Sequence, residues 1–504
     1  MSDPFSNTDK NVFLIKTDKM IDRGALMSRY SRTANPDIRD LYAKEFLGKD
    51  KFGSDFYRRI FIEYGDESIS ELVTAQMGIQ GVSNVCAQIM EDSRIGLSFL
   101  EKSSRYVSYA RKVSGRFQFM DADSCGFSGE LASEYENVCG NLFETYSTMV
   151  QNLTMYIEER FPLDEVVSRI SGADRELEDK AIEKAYRRAV SARVLDDARF
   201  LLPASTSTNL GITGNARAFL NVILRLKAYG LPEAQKMAVS MESELESEFP
   251  ELIKAASDSH ARRSIEYRVS RNRLIESNLS RNQKSGVEMI SHMQEEQFAG
   301  IIKEMFSEKG GDNSPEMTLS KICAEISDMR RNRRDRPGRI FEIPEMSFRV
   351  GMSFGTFRDF HRHRMFTIIR GYLTGGGEKF MPDLVSVIPE EKRRYSQAMR
   401  ASDELWKKLN SRYGPASAQY AVPFGQIYQF YVKGNLQEFA YFIELRTTPA
   451  AHYEIRRVAQ EIYRRIRMAY PLSSAIIKFA DTDEYDLGRI FQEMRIERKR
   501  EGMK

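Results

Sequence analysis

Two hydrophobic rhythms run along this chain. Apolar positions at helical spacing cover residues 176–198, 215–247, 389–411 and 449–468. Shorter runs read as strands: NVFLIKT from Asn11, by its β-branched and aromatic content, and SGVEMISH at 285–292. VGMSFGTF at 350–357 is uncharged and reads as strand or core. Helical segments around short strands, without regular alternation, predict an α+β fold. Residues 246–284 are polar and rich in Arg and Ser, with helical spacing in SHARRSIEYRVSRNRLIE, so they read as a helical connector. GGDNSP at 310–315 reads as a loop. No uninterrupted apolar stretch approaches the ~18–20 residues that span a bilayer, so no membrane association is expected.

The pattern also repeats. Residues 203–225 run PASTSTNLGITGNARAFLNVILR, and residues 423–446 run PFGQIYQFYVKGNLQEFAYFIELR. Pro203 and Pro423, Gly214 and Gly434, and Asn215 and Asn435 are each 220 positions apart. One extra residue then sets Leu224-Arg225 opposite Leu445-Arg446, and similar lead-ins precede each proline, ARFLLP and AQYAVP. The period is far too long for a solenoid, so the chain reads as two tandem copies. Residues 1–245 form the first, 285–504 the second, and 246–284 join them.

Composition adds limits. The 504 residues carry 75 basic and 72 acidic side chains, a net charge of +3, which argues for neither nucleic acid nor membrane as a partner. Hydrophobic content of 41% and charged content of 29% fit a globular protein. Cys86, Cys125, Cys139 and Cys323 are scattered, without CxxC or zinc spacing, and none sits beside an activating group. No metal site and no thiolate nucleophile are expected. The polar start MSDPFSNTDKN lacks the apolar core of a secretion signal, so a reducing cytoplasmic setting is expected.

Candidate chemistry clusters in a few places. Arg362, His363 and Arg364, preceded by Arg358 and His361, follow the uncharged VGMSFGTF run. Guanidinium groups fork onto phosphate or carboxylate, and a cationic cluster at the end of a buried element fits a binding site. Ser103, Ser104 and Arg105 form a polar loop of hydroxyl, backbone N–H and guanidinium, a ready phosphate cradle, with Glu101 able to accept from a ribose or base. Arg199 and Arg225 lie beside the apolar runs FLLP and AFLNVIL, where an arginine either snorkels or meets an anion. MRRNRRDRPGR at 329–339 lacks interleaved aromatics and reads as a solvated linker. GGG at 375–377 is a turn signal only.

Placed in order, these motifs resemble the flavin-dependent thymidylate synthases (ThyX), whose signature is R-H-R-x-x-S-x-N-E-x-S-x-R-Y. The R-H-R part is intact only at Arg362-His363-Arg364, and the tail only at Ser98, Glu101, Ser103, Arg105 and Tyr106, with Leu100 replacing the Asn. In the first copy the R-H-R position reads Ser93-Arg94-Ile95 or a one-residue shift of it. YGDESISEL at 64–72 keeps Glu67 and Glu71 of a family segment but not its histidines. Asp197-Ala198-Arg199 with Leu202-Pro203 resembles the segment supplying a nucleotide-phosphate arginine. In the second copy Gln419 stands where the first has Arg199.

The resemblance implies two tandem ThyX-like domains that reductively methylate dUMP to dTMP. The implied carbon donor is methylenetetrahydrofolate, with FAD as redox cofactor and NADPH as reductant. It implies that Glu101, Ser103, Arg105, Arg199 and Arg225 bind substrate, and that Arg225 or Arg446 contacts the reacting uracil edge. It assigns Arg358, Arg362, His363, Arg364, Asn215, Arg217, Asn221 and Asn435 to the cofactor side. It also implies sites shared between copies, in a homodimer that forms a pseudo-tetramer. A same-fold flavoenzyme for another uracil nucleotide and a non-catalytic nucleotide-binding scaffold stay open as alternatives.

Overall fold

A computed structural model of the chain describes residues 4–34, 37–48, 53–57, 68–168, 177–254, 256–279, 283–306 and 314–502. Glu67 and residues 310–313 lie outside them. Contacts group the chain into two units that interleave along the sequence. Unit 1 comprises residues 1–102, 119–132 and 205–278, and unit 2 comprises 103–118, 133–204 and 279–504.

Unit 1 holds an antiparallel sheet of β1 (Thr74–Ser83), β2 (Leu97–Glu101) and β3 (Ser207–Asn215), with β3 in the middle. The register runs from Thr74↔Asn215 to Ser83↔Ser207 on one side and from Leu97↔Gly214 to Glu101↔Leu210 on the other. Helix α1 (Asn84–Glu91) starts at Ser83, whose hydroxyl accepts from the Cys86 N–H. The Glu233 carboxylate grips the same serine, taking its N–H at 2.7 Å and its hydroxyl at 2.6 Å.

Unit 2 contains α2 (Asp179–Ala198), which ends in a short 3-10 turn at Arg199–Leu201. In unit 1, α3 (Ala216–Tyr229) is capped by Asn215, whose side chain accepts from the Ala218 N–H at 2.9 Å. The predicted helix over 215–247 is broken after α3 by Gly230, which takes φ +73°, and restarts at Pro232. The connector supplies a helix at Ser259–Asn278.

The unit 2 sheet repeats this plan with an added edge strand. Its order is β4 (Gly286–His292), β5 (Glu345–Ser353), β7 (Ile427–Asn435), β6 (Thr367–Arg370), all antiparallel. Helix α4 (Phe354–His361) starts at Ser353, gripped by Glu454 as Ser83 is by Glu233. Helix α5 (Leu436–Arg446) is capped by Asn435 accepting from the Glu438 N–H at 2.9 Å. His452 caps α6 (Tyr453–Ala469), and α7 (Ile490–Glu501) ends the chain's described helices. Phe360, Phe366, Phe439 and Phe442 fill the space between α4 and α5, with Phe360–Phe442 and Phe366–Phe439 centroids 4.6 Å apart. The fold is thus α+β with the same strand–helix motif built twice.

The two repeated lead-in segments meet each other. Pro203 bridges Pro423; the Ala204 N–H donates to the Val422 carbonyl, and the Phe424 N–H to the Leu202 carbonyl, both at 2.8 Å. Each bond is the repeat-mate of the other, so the segments pair about a local pseudo-two-fold axis.

Two expectations need correction. NVFLIKT makes no ladder: Ile15 forms only an isolated bridge with Phe5, and Val12 and Leu14 are exposed, so the run has strand composition but no partner strand. Within MRRNRRDRPGR, Arg330 is not solvated. It is 4% exposed and forks onto Glu444 of α5 at 2.6 and 2.8 Å.

Candidate active site

Unit 2 brings together Arg105 and Arg199 of the first repeat and the R-H-R end of the second. Four elements supply them. The loop after β2 carries Ser103 and Arg105, the C-terminal end of α2 carries Asp196 and leads into Arg199, and the ends of α4 and α5 carry Asp359, Arg362, His363 and Arg446.

Charges alternate through this cluster. Arg105 donates from Nε and Nη2 to the two Asp196 oxygens at 2.6 and 2.8 Å, and from Nη2 to the Ala450 carbonyl at 3.3 Å. Arg199, 2% exposed, places Nη2 3.6 Å from Asp359 Oδ2 and 3.3 Å from the Thr356 hydroxyl. Asp359 Oδ1 lies 3.8 Å from Arg362 Nη1 and 4.0 Å from Arg446 Nη1. Arg446 donates to the Asp359 carbonyl at 2.7 Å and from Nε to His363 Nε2 at 2.9 Å. Within this cluster, Arg199 Nε and Asp359 Oδ2 are buried and make no hydrogen bond.

Burial and charge set the ionisation states. Burial opposes the charged form of Asp196, but Arg105 outweighs it and brings the carboxyl down to about 2. Asp359 is likewise opposed by burial and held far below the ordinary range by Arg199, Arg362 and Arg446. Burial, then Arg446, push His363 well below its usual value, so its imidazole is neutral. Since Nε2 accepts from Arg446, the proton sits on Nδ1, which faces Glu438 Oε1 at 3.9 Å. Burial lifts Glu438 to about 7.

Other predicted residues fall as follows. Arg358 is buried with its guanidinium 5.0 Å over the Phe424 ring, and Arg362 and Arg364 are exposed. The Ser103 hydroxyl accepts a long bond, 3.4 Å, from the Arg105 N–H. Asn435 acts as a helix cap. Glu101, Asn215, Arg217, Asn221 and Arg225 belong to unit 1. There Arg217 pairs with Glu71 at 2.8 Å, Asn221 accepts from Arg268 at 3.0 Å, and Arg225 lies 3.7 Å from Asp92. The sequence reading missed Asp196 and Asp359. A usable signal existed: an acid beside arginines in an otherwise apolar helix needs those arginines as counter-charges.

The cluster borders open space. Arg105 and Tyr106 line a cavity of about 680 Å³ beside α2, and a recess of about 40 Å³ shares Arg105 and Arg489 with it. Exposed Arg362 and Arg364 at the end of a buried helix are a donor set that fits an anionic diphosphate such as that of FAD. Buried His363 would then act by holding Arg446. Among the described residues there is no metal-binding cluster, and no helix is long and apolar enough to cross a membrane. Burial pushes the Cys323 thiol up to about 12, and Cys86 also rises, so neither supplies a thiolate.

The family model described as thymidylate synthase complementing protein matches residues 16–251 and again 280–472. A UPF0159 protein of Thermoplasma acidophilum is 42% identical over 497 residues, covering 94% of this chain and 98% of its own. A UPF0159 protein of Chlamydia pneumoniae is 30% identical, covering 98% of this chain and 96% of its own. Among solved structures, a UMP/dUMP methylase from Streptomyces cacaoi bound with 5-Br dUMP covers 40% of this chain and 99% of its own, at 20% identity and a TM-score of 0.33. At that score the assignment rests on the family model and the whole-length relatives.

Proposed function

Because this chain belongs to the thymidylate synthase complementing protein family, as two tandem copies, we propose that it methylates dUMP at C5 to give dTMP. The methylene group of methylenetetrahydrofolate supplies the carbon, reduced FAD supplies the hydride, and NADPH restores the flavin. The observation that carries this reading is the convergence in unit 2 of Arg105 and Arg199 with His363 and Arg446, so that one compact unit holds the R-H-R part and the Ser103–Tyr106 end of the divided signature.

In this reading the Ser103–Arg105 loop and Arg199 take the substrate phosphate. Arg105 spends Nε and Nη2 on Asp196 and keeps Nη1 without a carboxylate partner. Arg446 meets the uracil edge. Nε rests on a neutral imidazole and Nη2 on the Asp359 carbonyl, which leaves Nη1, 4.0 Å from Asp359 Oδ1, to stabilise negative charge developing on the base. Arg362 and Arg364 would hold the FAD diphosphate, Arg358 would brace that helix from behind, and Asn435 would serve the cofactor side. Two chains form the working homodimer.

The pairing of Arg105 and Arg199 with buried carboxylates favours one rival, a non-catalytic nucleotide-binding scaffold. One assay decides. Purified protein is given dUMP, methylenetetrahydrofolate, FAD and NADPH, and the product is identified by mass. We expect dTMP, lost in both Arg105→Ala and His363→Ala. Absence of product with flavin bound overturns dUMP as the substrate, and absence of both product and flavin leaves the scaffold.

A further inference from the structure

The 680 Å³ cavity has a second wall that the family model does not reach. Its matched residues stop at 472, whereas Arg489 and α7 close the cavity opposite α2. Seven basic side chains line it against two acidic ones, a net of five positive charges. Four of them, Lys180, Lys184, Arg187 and Arg188, lie along α2, a run of roughly 12 Å at 1.5 Å per residue. Glu497 sits behind this row and holds Arg188 at 2.6 Å, Arg500 at 2.7 Å and Lys184 at 3.5 Å, and Asp196 holds Arg105, so the excess falls to three positive charges once these two carboxylates are counted.

Arg489 is the sharpest feature. Its Nε is held by Glu493 at 3.0 Å, while Nη1 is buried without a hydrogen-bond partner. A buried guanidinium N–H without an acceptor is rare and marks a place where an acceptor binds. The same guanidinium lies 4.2 Å over the ring of Tyr106, which is 58% exposed and offers a flat surface at the cavity.

We propose that this cavity binds a nucleoside triphosphate, with its phosphates along Lys184, Arg187, Arg188 and Arg489 and its base on Tyr106. A single phosphate needs one guanidinium fork; a row of cations closed by Arg489, with three positive charges in excess, matches a chain of phosphates. The inference goes beyond the methylation reading and touches it only at Arg105.

The test is titration calorimetry on the full chain with sodium tripolyphosphate, dTTP and, separately, dUMP. Lys184 and Arg187 have side chains 51% and 73% exposed, so Lys184→Gln/Arg187→Gln, which removes charge without setting new carboxylates against Glu497 and Glu183, should fold normally. We expect tripolyphosphate to bind the wild type and to bind this variant roughly tenfold more weakly or worse, with a weaker salt dependence. We expect dTTP to bind more tightly than tripolyphosphate, an advantage lost in Tyr106→Ala. No binding of tripolyphosphate to the wild type, or equal binding to the double variant, overturns the proposal. The dUMP titration separates the two ideas, since loss of dUMP binding in Arg105→Ala alone bears only on the methylation site.

Discussion

Asp359→Asn tests the charge arrangement at the centre of unit 2. The carboxylate is 5% exposed and within 4.0 Å of guanidinium nitrogens on Arg199, Arg362 and Arg446. Removing one partner of a buried ion pair costs about 3–5 kcal/mol, because the charge left behind stays desolvated. The separations here are 3.6–4.0 Å, and the Arg362 side chain is 43% exposed, which sets the expectation at the lower end. About 3 kcal/mol is roughly 150-fold in the folding equilibrium.

The pH dependence follows from the depressed pKa. A carboxyl held below its unfolded value of about 3.9 stabilises the fold above that pH and loses the contribution only as pH falls towards its folded value. The gap between wild type and variant is therefore flat from pH 5 to 8 and narrows below about pH 4. The assay is urea unfolding followed by fluorescence of the single tryptophan, Trp406, which lies in unit 2. A gap under 1 kcal/mol at pH 7, or one that widens in acid, would refute the reasoning.

Three further outcomes are expected. Arg330→Leu strands Glu444, 1% exposed, and should destabilise by about 3–5 kcal/mol, whereas Arg330→Leu/Glu444→Leu should recover most of it; additive losses in the cycle would show the pair is uncoupled. Glu438 has its pKa raised to about 7 by burial, so the folded state binds its proton more tightly than the unfolded chain. Its contribution is present in full below about pH 4.5 and is lost as pH rises through 7, and Glu438→Gln should flatten the stability curve across that window. Asn435→Ala removes a helix cap and should cost about 1 kcal/mol; unchanged stability with reduced flavin retention would instead support a direct cofactor contact.

The repeat and the helix-rich α+β class were legible because they are written in spacing and periodicity. Pro203 and Pro423 announced themselves as equivalents, but that they pair with each other is a tertiary fact with no local signature. Strand composition alone misled at Val12 and Leu14, which are exposed and, among the described residues, belong to no ladder beyond the Phe5–Ile15 bridge. Arg330 was hidden for the opposite reason. Its partner Glu444 lies 114 residues away, so a run of arginines that looked uniform contains one buried member. Among the site residues, the cations were found from their motifs, whereas Asp196 and Asp359 were passed over because the motifs name the ligand-binding side and omit the internal counter-charges.

Comparing the repeats shows what each half gave up. Helices α1 and α4 both follow a serine gripped by a glutamate and both run eight residues, so Asp92-Ser93-Arg94 occupies the place of Arg362-His363-Arg364. In unit 1 that substitution sets a carboxylate near Arg225, at 3.7 Å. In unit 2 the equivalent Arg446 lies 4.0 Å from Asp359 and also rests on the His363 imidazole, a brace that Arg225 lacks because Ser93 stands in place of His363. The reverse exchange occurs at Arg199. Its repeat-mate Gln419 is 2% exposed, accepts from the Leu373 N–H at 2.8 Å and donates to the Ala416 carbonyl at 2.9 Å. A buried cation with no anion to meet would be costly, and a satisfied amide removes that cost. Arg105, Arg199 and Arg446 are the arginines that unit 2 draws together, each beside a buried carboxylate, Asp196 for the first and Asp359 for the other two.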